Sequence, residues 1–143
     1  MVVVSINYRL GALCLLASEL FAEEVPLARV AEEVGTPVYV YSRKTIVGHY
    51  EKIRDAFSDL ETLICYSTKA NSNLAILSLL EGLGSGFDVV SVGELERILA
   101  VEGDPKRIVF AGVGKSASEL RRALETGILM FNVESEQEVE VLQ

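Results

Sequence analysis

Leu63–Ser91 reads LICYSTKANSNLAILSLLEGLGSGFDVVS: an apolar run of strand length, a segment with helical apolar spacing, a glycine-rich break, and a second apolar run. The same unit continues downstream. Strands are predicted at Leu63–Thr68, Phe87–Ser91, Ile108–Gly112 and Met130–Glu134, starting 24, 21 and 22 residues apart. That spacing holds one strand, a helix of about three turns and two short loops. Strands alternating with helices imply a parallel sheet, because parallel neighbours need a crossover connection. The helices are punctuated by serine–glutamate capping boxes at Ser91–Glu94, Ser116–Glu119 and Ser135–Glu138. Gly103 and Gly127 stand where left-handed helix ends are expected. Leu95, Ile98 and Leu99 form one apolar face, as do Leu120, Ala123 and Leu124.

Upstream, Leu27, Val30, Ala31 and Val34 predict a short helix between Pro26 and Gly35. Pro37–Ser42 (PVYVYS) reads as a strand by its β-forming residues. A helix follows, with Ile46, Tyr50, Ile53 and Phe57 on one face. Residues 1–25 have the least legible pattern. Periodicity alone leaves a doubly wound sheet and part of a (β/α)8 barrel both open.

The 143 residues are 50% hydrophobic and 24% charged, as in an ordinary packed domain. A net charge of -8 with no basic run argues against nucleic acid as a partner. Cys14 and Cys65 lie near neither each other nor His49 in sequence, so no disulfide framework or zinc site is expected, and no metal. This points to a reducing, cytoplasmic setting. Gly11–Ala17 (GALCLLA) is shorter than the ~20 residues that span a bilayer. It is read as a strand or buried segment, with a weak signal-peptide look, and no membrane partner is expected.

Two phosphate-binding motifs fail on inspection. Gly112-Val113-Gly114-Lys115-Ser116 resembles the tail of a P-loop, but Val109 replaces the required first glycine. Gly82-Leu83-Gly84-Ser85-Gly86 precedes a strand instead of opening a helix, and Phe87 occupies the place of the third glycine of a dinucleotide fingerprint. His49 has no partner at ligand spacing and reads as a surface or partly buried side chain.

Lys69 directly follows LICYST, so it emerges at the carboxyl end of a parallel strand, where α/β proteins build their sites. An amine held there can condense with an aldehyde cofactor once burial or nearby charge makes it nucleophilic. The plain alternative is a solvated loop lysine.

Tyr66-Ser67-Thr68-Lys69-Ala70-Asn71-Ser72-Asn73 resembles the cofactor-lysine motif of the diaminopimelate, ornithine and arginine decarboxylase family. Gly35–Ser42, Gly84–Ser91, Gly93-Glu94-Leu95, Gly103-Asp104-Pro105, Ile108–Phe110 with Gly112–Lys115, and Phe131–Ser135 are also similar to segments of its diaminopimelate-specific members. The resemblance covers about residues 24–143. It implies an alanine-racemase-like (β/α)8 TIM barrel, of which residues 37–143 would form the first half, about four strand–helix units. Residues 1–36 would be an amino-terminal segment with a short helix. The rest of the barrel and a β-rich second domain would be absent.

By the same resemblance, Lys69 binds pyridoxal 5'-phosphate (PLP) and acts catalytically, and Asp88 lies near cofactor and lysine. Glu94 is a weaker candidate, since a capping box already explains it. The implied reaction is decarboxylation of meso-diaminopimelate to L-lysine, a step of lysine biosynthesis, by a homodimeric cytoplasmic enzyme acting on a small amino acid. The family's phosphate-binding glycine segment, its acid facing the pyridine nitrogen and its cysteine motif from the dimer partner would lie outside this chain. The polypeptide alone is therefore expected to be inactive or very weak. Alternatives are an ornithine- or arginine-type decarboxylase, or a non-catalytic homologue that binds or regulates another subunit. Ser67-Thr68 departs from the small apolar pair usual before the family's lysine.

Overall fold

The computed structural model describes residues 2–6, 13–16 and 19–142, with side chains from Leu20 onward. In chain order the elements are β1 (Val2–Ile6), β2 (Leu13–Leu16), β3 (Glu19–Ala22), β4 (Val25–Pro26), α1 (Leu27–Val34), α2 (Arg43–Ala56), β5 (Thr62–Ser67), α3 (Leu74–Gly82), β6 (Gly86–Val89), α4 (Val92–Ala100), β7 (Ile108–Phe110), α5 (Ala117–Thr126), β8 (Met130–Phe131) and α6 (Glu136–Leu142). They form two compact units, Tyr8–Ala56, and Met1–Asn7 with Phe57–Gln143. No helix among the described residues is long and apolar enough to cross a membrane.

In the smaller unit, β2, β3 and β4 make an antiparallel sheet against which α1 packs. Within the apolar GALCLLA run, Leu13–Leu16 is strand β2; its remaining residues lie outside those described. The start of α2 is capped from a distance. Ser42 Oγ accepts from Thr45 N at 3.0 Å, and the Glu23 carboxylate accepts from Ser42 Oγ at 2.7 Å and Lys44 N at 2.6 Å. These donors, with the Lys44 and Arg43 charges, hold the Glu23 carboxyl below its usual range. Pro37–Ser42, predicted as a strand, is irregular instead. Its residues suit a pleated surface, but the segment pairs with no strand among the described residues, and β-propensity expresses itself through pairing.

The larger unit is an α/β layer built on a five-stranded, wholly parallel sheet in the order β1-β5-β6-β7-β8. All four predicted strands are present, each ending sooner than the pattern suggested. After β7 the chain turns at Gly112, whose φ is 89°. Strand β1 was hidden in the illegible amino-terminal stretch. The register gives the sheet two different faces. Tyr66, Phe87, Ile108, Val89, Phe110 and Phe131 share one, and all but half-buried Phe131 are nearly inaccessible. Phe110 and Phe131 stack at 6.1 Å. The helices bury Leu77, Leu80, Leu95, Ile98, Leu120 and Ala123. Cys65, Ser67, Gly86, Asp88, Val109 and Met130 share the opposite, smaller and more polar face. α4 packs on β6, and α3, α4, α5 and α6 pack on one another in succession.

The capping boxes fold with one variation. Ser116–Glu119 closes a full box. At Ser91 and Ser135 the hydroxyl accepts from Glu94 N and Glu138 N, but each carboxylate reaches one residue further back, to Val90 N at 2.8 Å and Glu134 N at 3.0 Å. Gly127 is left-handed, as predicted. Gly103 is not; Glu102 takes the positive φ of 61°, and Gly103 is needed because a Cβ there would run into Ile98. Leu124 is exposed, since the buried stripe of α5 centres on Leu120 and Ala123.

An ion pair ties the last two strands together. Lys115 Nζ, its side chain 1% exposed, donates to Gly112 O at 2.6 Å, Asn132 O at 2.8 Å and Glu138 Oε2 at 2.9 Å. All three ammonium protons are used. The clamp joins the turns leaving β7 and β8 to the start of α6. The Glu134 N–H and the Lys115 ammonium hold the Glu138 carboxyl below its usual range.

Two tests follow from this packing. A Cβ on Gly86 would lie 2.5 Å from Arg107 O and 2.8 Å from Cys65 Sγ, whereas one on Gly82 would meet nothing within 4 Å. Gly86→Ala should destabilise by about 2 kcal/mol or more, and Gly82→Ala should stabilise by about 0.5–1 kcal/mol, measured by urea unfolding. Glu138 binds its proton less tightly folded than unfolded. Its stabilisation is therefore complete above the ordinary value of 4.5 and is lost as pH falls through the lower folded value. Glu138→Gln should lower the urea midpoint near neutral pH, where Lys115 loses its partner, and reduce the further fall on acidification. An equally steep acid dependence in both proteins would contradict the clamp.

Candidate active site at the carboxyl rim of the sheet

Parallel pairing brings the carboxyl ends of β5, β6, β7 and β8 to one rim. At the end of β5 the chain enters a 3-10 turn, Thr68–Ala70, that carries Lys69. The surrounding motif residues hold that turn. Buried Tyr66 donates its phenol to Asn71 O at 3.2 Å. Asn71 Oδ1 accepts from Asn73 N at 2.9 Å, and Asn73 Oδ1 accepts from Ala75 N at 2.9 Å, capping α3. Arg97 reaches across from α4 to Ser72 O at 3.3 Å. Tyrosine and both asparagines thus act on the backbone and leave the lysine side chain out of the scaffold.

Lys69 is exposed, and among the described residues its ammonium has no hydrogen-bond or ion-pair partner. Lys115, the other lysine at this rim, is buried and fully committed. Asp88 lies on β6, opposite Ser67 in register, and is half-buried. Cys65 is two positions before Ser67 on the same face. Burial, and then the Asp88 charge, push its thiol up to about 12, so it remains protonated and unreactive. Asp88 therefore acts electrostatically on the polar face just below the rim.

Glu94 serves as a helix cap through its contact with Val90 N, and Ser91 accepts from Glu94 N. His49 is exposed on α2. No cluster of three or more His, Cys, Asp or Glu side chains that could hold a metal ion occurs among the described residues. A separate open cleft of about 490 Å³ lies within the smaller unit, lined by Glu23, Val30, Val40, Tyr41 and Arg43 among others. It contains neither predicted site residue.

Sequence reasoning missed two features of the larger unit. The Lys115–Glu138 clamp was legible only in part, as a lysine in a strand-to-helix turn and a glutamate in a capping box. Three buried hydroxyl oxygens, Thr62 Oγ1, Ser67 Oγ and Thr68 Oγ1, have no hydrogen-bond partner among the described residues. Only the replacement of the usual apolar pair by Ser67-Thr68 hinted at two of them.

Comparison with known proteins places these features in a family. Residues 43–143 match the family model described as pyridoxal-dependent decarboxylase, pyridoxal binding domain. A diaminopimelate decarboxylase of Pseudomonas aeruginosa is 56% identical over 126 residues, covering 88% of this chain and 30% of that protein. The crystal structure of the Helicobacter pylori diaminopimelate decarboxylase complexed with L-lysine superposes with a TM-score of 0.78 at 46% identity, covering 81% of this chain and 29% of that one. The M. jannaschii diaminopimelate decarboxylase, in co-complex with L-lysine, gives a TM-score of 0.87 at 35% identity over 91% of this chain and 31% of that one. The chain thus spans about 30% of the length of the relatives it matches. With a family model covering most of its length, and an unpaired lysine where a parallel strand ends, the chain belongs to the pyridoxal-dependent decarboxylase family, through its pyridoxal-binding domain.

Proposed function

We propose that this chain is the lysine-bearing part of a PLP-dependent enzyme that decarboxylates meso-diaminopimelate to L-lysine. Lys69 is the residue that holds the cofactor and acts in catalysis, and Asp88 is the carboxylate beside them. The observation that carries this reading is the contrast at the rim: Lys69 offers a free amine from a braced turn, while Lys115 is locked in carbonyl and carboxylate contacts.

The sheet itself favours the first part of a (β/α)8 barrel, with residues 37–143 supplying four of its strands and residues 1–36 an introductory segment whose β1 adds a fifth strand beside β5. Strands β5 to β8 are neighbours in sequence order with no reversal, and their helices pack on one another in the same order. A doubly wound sheet would reverse its strand order and send helices to both faces. The polar face of Cys65, Ser67 and Asp88 suits a barrel interior, and the apolar face suits the helical jacket.

The rim residues fit the cofactor. An aldehyde needs an amine able to reach it, which Lys69 supplies from its exposed turn, and a polar ring needs hydrogen-bonding groups, which the unsatisfied Ser67 and Thr68 hydroxyls can offer. When bound, PLP supplies an electron-accepting pyridinium ring that takes up the electrons of the breaking carbon–carboxylate bond. Lys69 Nζ would hold the cofactor and would move a proton as a general acid–base group. Asp88 would set a carboxylate beside the cofactor, on the polar face that it shares with Ser67. Tyr66, Asn71 and Asn73 keep the turn fixed, so that the amine is presented with little ordering left to do. The two L-lysine-bound relatives support lysine as product. The whole protein is read as a cytoplasmic homodimer, on the family resemblance and its reduced, buried Cys65.

Borohydride reduction in the presence of PLP, followed by peptide mapping, tests the assignment. The pyridoxyl group should lie on Lys69 and disappear in Lys69→Ala, with Lys115 unmodified. In the full-length enzyme carrying the same substitution, decarboxylation should fall by about 10²–10⁴-fold or more. Diaminopimelate should be preferred over ornithine and arginine. Label on Lys115, or scattered over surface lysines, would contradict the reading.

A further inference from the structure

This inference rests on the decarboxylase reading and concerns a residue specific to the chain's own version of the motif. Ser67 is 2% exposed, and its hydroxyl has no hydrogen-bond partner among the described residues. A buried hydroxyl without a partner destabilises a folded protein, and an alanine of nearly the same volume would avoid the loss. The hydroxyl therefore calls for an explanation. Its location supplies one. Ser67 closes β5, two residues before Lys69, and sits opposite Asp88 in the parallel register. Register partners project from the same face of a sheet, so Ser67 and Asp88 share the face that carries the polar groups. A ligand held by Lys69 and lying against Asp88 would lie over the face that carries the Ser67 hydroxyl. Thr68 is offset by one position and is not needed for the argument.

We propose that Ser67 is a cofactor-binding residue, whose hydroxyl makes a hydrogen bond to a polar substituent of the pyridoxal ring. In the protein without cofactor the group is an unsatisfied oxygen; with cofactor it is satisfied. Its effects on stability and on binding then have opposite signs. That separates it from an ordinary packing residue.

Thr62 provides an internal control. It begins the same strand and also has a buried hydroxyl without a partner, but it lies at the amino end, roughly 16 Å from Ser67 at the rise of an extended chain. The experiment compares the unmodified protein with Ser67→Ala and Thr62→Val. It measures the urea midpoint without cofactor, the PLP dissociation constant by absorbance titration, the position of the bound-cofactor absorption band, and Lys69 labelling after borohydride reduction. Ser67→Ala should leave the cofactor-free midpoint unchanged or raised, weaken PLP binding about tenfold, and shift the absorption band. Thr62→Val should raise the midpoint and leave both PLP readouts alone.

Each other outcome counts against the proposal in a distinguishable way. With Lys69 labelled but affinity and absorption unchanged in Ser67→Ala, the Ser67 role fails and the decarboxylase reading stands. A lower cofactor-free midpoint in Ser67→Ala would mean that the hydroxyl is already used within the protein, and the role fails again. Absence of label on Lys69 in the unmodified protein would remove the decarboxylase reading, and the Ser67 role with it.

Discussion

Parallel pairing of β5 with β6, in the register that sets Ser67 against Asp88, is the constraint on which the candidate site depends. It makes two strands end at the same level, so that Lys69 leaves one just beyond the point where a carboxylate projects from the other. A slip of one residue would turn Asp88 to the apolar face and break the arrangement. Close approach around Gly86 belongs to this register. A side chain there would collide with the Arg107 carbonyl and the Cys65 sulfur. Register, glycine and site geometry are therefore one requirement seen three times.

The lysine motif divides its labour. Tyr66, Asn71 and Asn73 spend their polar groups on the backbone and on the start of α3, which fixes the 3-10 turn. Lys69 spends none among the described residues. The Lys115–Glu138 clamp does the opposite with the same chemical group, saturating an ammonium to fasten the turns after β7 and β8. One rim thus holds a structural lysine and an available one, and burial separates their roles.

Much of this was legible in the residues. The strand–helix rhythm located β5 to β8, the serine–glutamate spacings located the starts of α4 to α6, and the position of Lys69 after LICYST put it at the carboxyl rim. What escaped depended on contacts distant in sequence. Val2–Ile6 joins the sheet only by pairing with Thr62–Tyr66, and no local pattern announces that partner. PVYVYS has the composition of a strand but finds no edge among the described residues. Glu102 takes the left-handed position because the neighbouring glycine is committed to a close approach by Ile98. The Asp88 strand position was readable; its influence on Cys65 required knowing the register.

The most direct measurement of the central claim is a crystal structure of the protein grown with PLP. The account predicts continuous electron density from Lys69 Nζ to the pyridoxal ring, with Asp88 alongside and the Ser67 hydroxyl in hydrogen-bond contact. Density in the cleft of the smaller unit, or a Lys69 side chain directed away from the ligand, would contradict it.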